Sequence, residues 1–283
     1  MVRQELYRYC AELMDSADIP DSEFDTLCIF QDILGDKMPM IQPNLEVPAD
    51  KESAILDMVN KRISGMPLQY ILGEWEFWGL PLKVGEGVLI PRPDTETLIE
   101  DILHIVREKG YKSPKIVDLC SGSGCIAIAL KKEIPSADVY AVELSEKALE
   151  YLRHNVKLNS ADINIIHGDV LSPDLAAEFK GFHIIVSNPP YLTAQDMAEL
   201  QTEVQKEPEA ALFGGDDGLD FYRAMTPIWR NSLENGGCLC YEFGMGQEKD
   251  IKLILEENNF VNIKFSRDGG GIIRTVTAEK TEV

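Results

Sequence analysis

Lys115-Ile116-Val117-Asp118-Leu119-Cys120-Ser121-Gly122-Ser123-Gly124-Cys125-Ile126-Ala127-Ile128-Ala129-Leu130 runs from a β-branched stretch, through small residues, into a helix-like apolar stretch. A strand, a loop without bulky side chains and a helix form the opening unit of a nucleotide-binding α/β sheet, because small residues let the backbone come close to a nucleoside. Further strand-like runs follow at 138–144, 163–169, 182–187 and 237–243, with helix-like runs between them. Such alternation implies right-handed crossovers and a doubly wound, mostly parallel sheet. Residues 260–267 and 272–278 break the rule. Only Asp268-Gly269-Gly270-Gly271 separates them, too little for a crossover helix, so they are expected to pair as a hairpin and add an antiparallel strand.

Working outward to the amino end, the period changes. Leu6, Cys10, Leu13 and Ala17 recur at helical spacing, as do Phe24, Leu27 and Cys28, and again Ile55, Met58, Val59, Arg62 and Ile63. Ser22 with Asp25 reads as a capping pair. Residues 1–75 are therefore a small helical domain. Residues 76–91 read as a linking hairpin of two short strands around the Gly85-Glu86-Gly87 turn. Residues 92–283 make the α/β domain, its first helix at about 94–109.

The 283 residues are 45% hydrophobic and carry a net charge of −21, with 6 basic and 14 acidic residues in the first 75. So acidic a chain has no general affinity for a phosphate backbone, which argues against a nucleic-acid coat protein. Six cysteines show no C-x-x-C, and four histidines show no metal-ligand spacing, so no metal is expected. Cys238 and Cys240, two apart in a strand, read as core residues on one face. The start is polar rather than signal-like and no apolar run reaches membrane length, so a cytoplasmic protein is expected.

The loop 120–124 holds only Gly122 and Gly124 rather than the full G-x-G-x-x-G pattern, which argues against a dinucleotide. Its helix amino end can face the carboxylate of a sulfonium cofactor, S-adenosylmethionine, whose methyltransferases commonly finish on an antiparallel strand. Nineteen residues after Gly124, Glu143 closes the second strand, where a carboxylate can accept both ribose hydroxyls. Asp169 ends the third strand and, with Val170 after it, is placed to meet the adenine amine and ring. Ser187-Asn188-Pro189-Pro190-Tyr191 follows the fourth. Methylating a planar nitrogen is hard, because its lone pair is delocalised into the adjacent π-system. The Asn188 side-chain oxygen and the Pro189 carbonyl can accept its two hydrogens. The prolines preset that carbonyl and offer no competing N–H, and Tyr191 can stack on the planar group. Catalysis would then be positioning and desolvation.

The motif at 188–191, the 118–124 loop, Glu76-Phe77-Trp78-Gly79-Leu80-Pro81-Leu82 and Ile90-Pro91-Arg92-Pro93-Asp94-Thr95-Glu96 together resemble the peptide chain release factor glutamine methyltransferases. Gly214-Gly215-Asp216-Asp217-Gly218-Leu219-Asp220-Phe221-Tyr222-Arg223 and Tyr241-Glu242-Phe243-Gly244-Met245-Gly246-Gln247 look like further segments of that family. The resemblance implies a Rossmann-like class I S-adenosylmethionine-dependent methyltransferase behind a helical substrate-recognition domain. The substrate it implies is the Gly-Gly-Gln glutamine of class I release factors, methylated at N5. Cys120, Ser121, Gly122, Ser123, Gly124, Glu143 and Asn188 carry over as cofactor contacts, Asn188 to Tyr191 as the glutamine clamp, and Thr95 and Arg92 as residues closing over the cofactor. Cys120 and Val170 depart from relatives that carry glycine and a large aromatic there.

The same clamp would serve a nucleic-acid N-methyltransferase (adenine N6 or guanine N2). That enzyme needs a basic face or base-stacking aromatics, which the acidic helical domain lacks. A non-catalytic sensor of the methionine nucleoside would not need the clamp. The expected partner is thus a protein, with no direct nucleic acid and no membrane, and the chain is expected to act as a monomer. Trp75, Phe77 and Trp78 are taken to pack the interdomain hairpin and shape the cleft indirectly.

Overall fold

A computed structural model describes residues 1–281. The chain forms two compact units, the first made of Met1–Glu74 with Gln201–Lys206 and the second of the remainder.

In the first unit, α1 (Arg3–Asp15) and α3 (Ala49–Ile63) bury most of the stripes that the period marks, whereas α2 (Ser22–Leu34) turns Ile29 and Phe30 inward and leaves Phe24 exposed; the short α4 (Leu68–Leu72) follows. Leu6, Cys10, Met14, Ile29, Phe30, Ile55 and Val59 are fully buried. The expected Ser22–Asp25 capping pair does not form. Asp21 takes the cap position, and Asp25 turns inward to accept from Arg62 Nε at 2.6 Å. Arg62 Nη2 also pairs with Glu203 at 2.7 Å. A buried guanidinium needs such anions, since an uncompensated interior charge costs about 3–5 kcal/mol. Arg62→Ala strands the Asp25 carboxylate and is expected to lower stability by about that amount in urea unfolding; an unchanged midpoint contradicts it.

A hairpin of β1 (Glu74–Phe77) and β2 (Leu80–Lys83) starts at the boundary of the second unit, one turn earlier than the glycines at 85 and 87 suggest. Trp78 and Gly79 make the turn with φ of 54° and 68°, the double left-handed pair of a two-residue hairpin loop. The Trp78 backbone N–H is held by Glu96 and its indole by Glu133, both at 2.8 Å. Phe77 lies in the core and Trp75 packs beside Val84, Val88 and Ala148, so these aromatics serve the second unit itself. Gly85 and Gly87 are small for another reason: a Cβ there would meet Tyr151 and Lys147.

After α5 (Glu96–Lys109) come β3 (Lys115–Leu119), α6 (Cys125–Glu133), β4 (Asp138–Glu143), α7 (Glu146–Leu158), β5 (Ile163–His167), α8 (Pro173–Ala177) and β6 (Phe182–Ser187). Then follow α9 (Ala194–Ala198), α10 (Asp220–Arg230), β7 (Leu233–Glu242), α11 (Glu248–Glu257), β8 (Phe260–Arg267) and β9 (Ile273–Lys280). The sheet order is β5-β4-β3-β6-β7-β9-β8. β3 to β7 run parallel, while β9 is antiparallel to both its neighbours. This is the Rossmann-like class I methyltransferase fold.

Alternate residues feed two cores. Ile116, Val139, Ile184, Val186, Cys238 and Cys240 pack with α5 and α6, whereas Val117, Leu119, Val142, Ile185, Leu239 and Tyr241 pack with α10 and α11. Cys238 and Cys240 share one face as free thiols. No helix among the described residues is long and apolar enough to cross a membrane.

Candidate active site

The carboxyl ends of β3 to β6 meet at a cavity of about 410 Å³. Its wall brings together Thr95, Cys120, Ser121, Gly122, Ser123, Glu143, Asp169, Val170, Asn188 and Pro190 from the sequence reading, and Arg92 with them. Gly124, Pro189 and Tyr191 stand outside the wall.

The loop after β3 is tied down by a set of short hydrogen bonds. Ser121 N donates to Val142 O at 3.0 Å, Gly124 N to Ser121 O at 2.7 Å, and Ser121 Oγ to Asp118 O at 2.8 Å. Cys120 and Gly122 are left-handed, with φ of 61° and 54°, the former an uncommon state for a residue with a Cβ. Gly124 must be glycine on two counts: its φ is 83°, and a Cβ would run into Leu152 of α7. Asn155, fully buried on α7, donates from Nδ2 to Ser123 O and Lys83 O and accepts Lys83 N at Oδ1. It thereby pins the loop to the hairpin. Nothing in its local sequence, a helical Arg153-His154-Asn155, signals that role.

Glu143 is nearly buried. Its Oε2 accepts Gly122 N at 2.8 Å and its Oε1 accepts Ser145 N at 2.7 Å. Each oxygen keeps lone pairs for the cavity, the pattern that two adjacent hydroxyls require. Ser145 caps α7 through Oγ. β5 ends at His167, two residues short of expectation, so Asp169 sits in a loop where its Oδ1 accepts Leu171 N at 2.8 Å. Ser172 rather than Asp169 caps α8. Val170 is buried, its carbonyl held by the Trp229 indole at 2.8 Å.

At the end of β6, Ser187 Oγ donates to Leu119 O at 2.6 Å and locks the two strand ends together. Asn188 Nδ2 donates to Thr95 Oγ1 at 3.3 Å, which leaves its Oδ1 as the uncommitted atom. Pro190 and Tyr191 are packed from behind, where a Cβ on Gly214 would come 2.6 Å from Pro190 O. Gln247 Nε2 donates to Tyr191 O at 3.1 Å while its Oε1 accepts Gly244 N at 2.8 Å. The Tyr191 hydroxyl donates to Glu242 Oε1 at 3.4 Å. Arg92 is drawn to Glu207, which also accepts Ile90 N at 3.0 Å.

The family description "PrmC N-terminal domain" matches residues 5–73 and "Methyltransferase small domain" matches 95–215. A release factor glutamine methyltransferase of Fusobacterium nucleatum subsp. nucleatum is 37% identical over 281 residues, 98% of this chain and 78% of that protein. The chain belongs to the release factor glutamine methyltransferase family. Another relative of that name, from Bradyrhizobium diazoefficiens, is 38% identical over 96% of this chain and 93% of its own length. The solved hMettl16 catalytic domain, in complex with MAT2A 3′UTR hairpin 6, matches with a TM-score of 0.56 over 84% of each chain; at 14% identity this speaks to the fold alone.

Members of this family are enzymes that use S-adenosylmethionine, and the donor set of the cavity suits it. Glu143 offers anchored acceptors, and the missing side chain of Gly122 leaves open space beside them. The electrostatics are governed by burial. Asp118 at the end of β3 is fully buried, and both its oxygens lack a hydrogen-bond partner among the described residues. Desolvation, with Glu143 adding to it, pushes its pKa up to about 8. Burial likewise raises the thiols of Cys120 and Cys125, the latter to about 12, so both line the cavity as neutral groups.

Proposed function

We propose that this chain transfers the methyl group of S-adenosylmethionine to the side-chain amide nitrogen, N5, of the Gly-Gly-Gln glutamine in class I peptide chain release factors. The observation that carries the reading is the polarity of Asn188. One N–H of its NH₂ goes to Thr95, which leaves its oxygen as the atom able to accept an amide hydrogen. A second acceptor, the Pro189 carbonyl, follows directly in the chain, and neither proline contributes a competing N–H. Two acceptors hold the NH₂ with its π-delocalised lone pair turned toward the methyl donor. When bound, the cofactor supplies an electrophilic methyl group on a cationic sulfur. The protein contributes orientation and exclusion of water, and no strong base is needed to begin the transfer.

Mass spectrometry of the Gly-Gly-Gln peptide, after incubation of a release factor with this protein and cofactor, tests the reading. One added methyl on the glutamine is the expected result. Transfer to total RNA or DNA and not to the factor would overturn it.

The net charge of −21 favours a basic protein substrate over nucleic acid. A Gly-Gly-Gln region that approaches ribosomal RNA is expected to be basic. Attraction between the two raises the encounter rate, so kcat/KM is expected to fall several-fold from low to physiological ionic strength. A flat salt response would leave the acidity as a matter of solubility.

A further inference from the structure

Gln247 stands at the cap of α11, a place where Ser, Thr, Asp or Asn usually satisfies the first free N–H groups of a helix. Its side chain makes no such bond. It reaches away from its own helix to the end of the Asn188–Tyr191 segment, where Nε2 lies 3.1 Å from Tyr191 O. The carbonyls of Asp217 and Gly218 stand on the same side, each at 3.4 Å. On the other side, Oε1 accepts Gly244 N at 2.8 Å. The slot leaves room for nothing else. A Cβ on Gly218 would come 2.2 Å from Tyr191 O and 2.5 Å from Gln247 Nε2, and one on Gly244 would come 3.0 Å from Gln247 Oε1.

These neighbours admit one polarity. Carbonyls can be met only by a donor, and the Gly244 N–H only by an acceptor, so a neutral amide fits and a carboxylate does not. The bond to Tyr191 also completes a peptide. Leu192 N donates to Leu212 O at 2.9 Å, on the far side of the same peptide unit whose carbonyl Gln247 holds. Held at one atom, a peptide plane can swing; held at both, its direction is set.

The clamp needs such a tie. Each proline ring fixes its own φ but leaves ψ to rotate, and neither ring offers an N–H by which the segment could be held. At the entrance, Ser187 pairs with Leu119 and Asn188 is bonded to Thr95. With that end fixed, the direction of the Pro189 carbonyl depends on where the segment ends, and Tyr191 is its end. We propose that Gln247 is a positioning residue: it ties the exit of the clamp to the turns at 217–218 and 244–247, and so sets how the Pro189 carbonyl meets the substrate amide. The proposal rests on the glutamine-clamp reading.

The test compares wild type with Gln247→Glu, which keeps an acceptor for Gly244 N but turns an anionic oxygen on the Tyr191 carbonyl. Its kcat should fall about tenfold, less than the roughly hundredfold of a 1 Å misplacement. KM and the calorimetric affinity for S-adenosylmethionine should stay within about threefold, because Glu143 and the 120–124 loop are untouched. Gly218→Ala, which wedges a methyl group between Tyr191 O and Gln247 Nε2, should show the same split. Combined with Gln247→Glu it should cost no more than the larger single loss. A side chain that only holds the 244–247 turn would leave Gln247→Glu as active as wild type, and that result overturns the proposal. Losses in both variants that match their loss of folded protein or of cofactor affinity overturn it too. The ¹³C resonance of the Tyr191 carbonyl, selected by ¹³C-tyrosine and ¹⁵N-leucine labelling, supplies a readout without activity. The other Tyr-Leu peptide, at 151–152 in α7, serves as its internal reference. The Tyr191 signal should shift in Gln247→Glu while that of Tyr151 stays; an unmoved signal refutes the tether. A shift in a protein that methylates no release factor would instead place the failure with the substrate reading.

Discussion

Asn188→Ala lowers kcat about a hundred- to a thousand-fold, the range for removing one preorganised group that acts on the reacting atoms. Cofactor affinity changes only a few-fold, because Glu143 and the 120–124 loop stay in place without it. The split follows from the geometry. Asn188 is committed to Thr95 by its nitrogen and offers the cavity its oxygen, so truncation deletes an acceptor and little packing. The substrate NH₂ keeps the Pro189 carbonyl as one partner and becomes free to rotate about it. A rotating amide seldom turns the face of its π-system, where the delocalised lone pair lies, toward the methyl group, and the loss therefore falls on kcat rather than KM. Stopped single-turnover assays, at saturating cofactor and release factor, separate chemistry from product release. A variant that turns over as fast as wild type would remove Asn188 from the clamp.

The parts of this site that a reader of the sequence can find are those built from one strand end and its following loop. Glu143, Asp169 and Asn188 each follow a short β-branched run, and the fold places all such ends on one side of the sheet. The strand positions were legible because parallel strands covered on both faces read as near-continuous apolar runs, such as Phe182-His183-Ile184-Ile185-Val186. The family segments around Glu242 and Gln247 were visible as segments, but their roles were not. Those roles depend on pairings across the sheet, with Tyr191 some fifty positions away. Asn155, buried to hold Lys83 and Ser123, is likewise a long-range partner hidden in an ordinary helix. The turn lies elsewhere than glycine composition suggests because Trp78 takes the left-handed state of the two-residue loop, held there by Glu96 and Glu133 from distant parts of the chain. Segment 201–206 carries no period at all. It joins the helical unit because Arg62 requires a second anion and Glu203 supplies it.

Glu143→Ala weakens S-adenosylmethionine binding about thirty- to a thousand-fold, which is about 2–4 kcal/mol. Two hydrogen bonds from ribose hydroxyls to a carboxylate are each worth about 1.5–3 kcal/mol, and they are not additive. The same substitution leaves the N–H groups of Gly122 and Ser145 without their acceptors, so the loop that faces the nucleoside loosens as well. Glu143→Gln should fare little better despite its matching size. Both carboxylate oxygens already face a backbone donor, and whichever one becomes NH₂ sets donor against donor. Titration calorimetry with S-adenosylmethionine and with the demethylated product should show equal losses for both, since they share the ribose. At saturating cofactor, kcat should return to within a few-fold of wild type, the opposite split to Asn188→Ala. A dissociation constant within about threefold of wild type would mean that the ribose does not rest on Glu143, and that its buried carboxylate serves only to hold the glycine loop against α7.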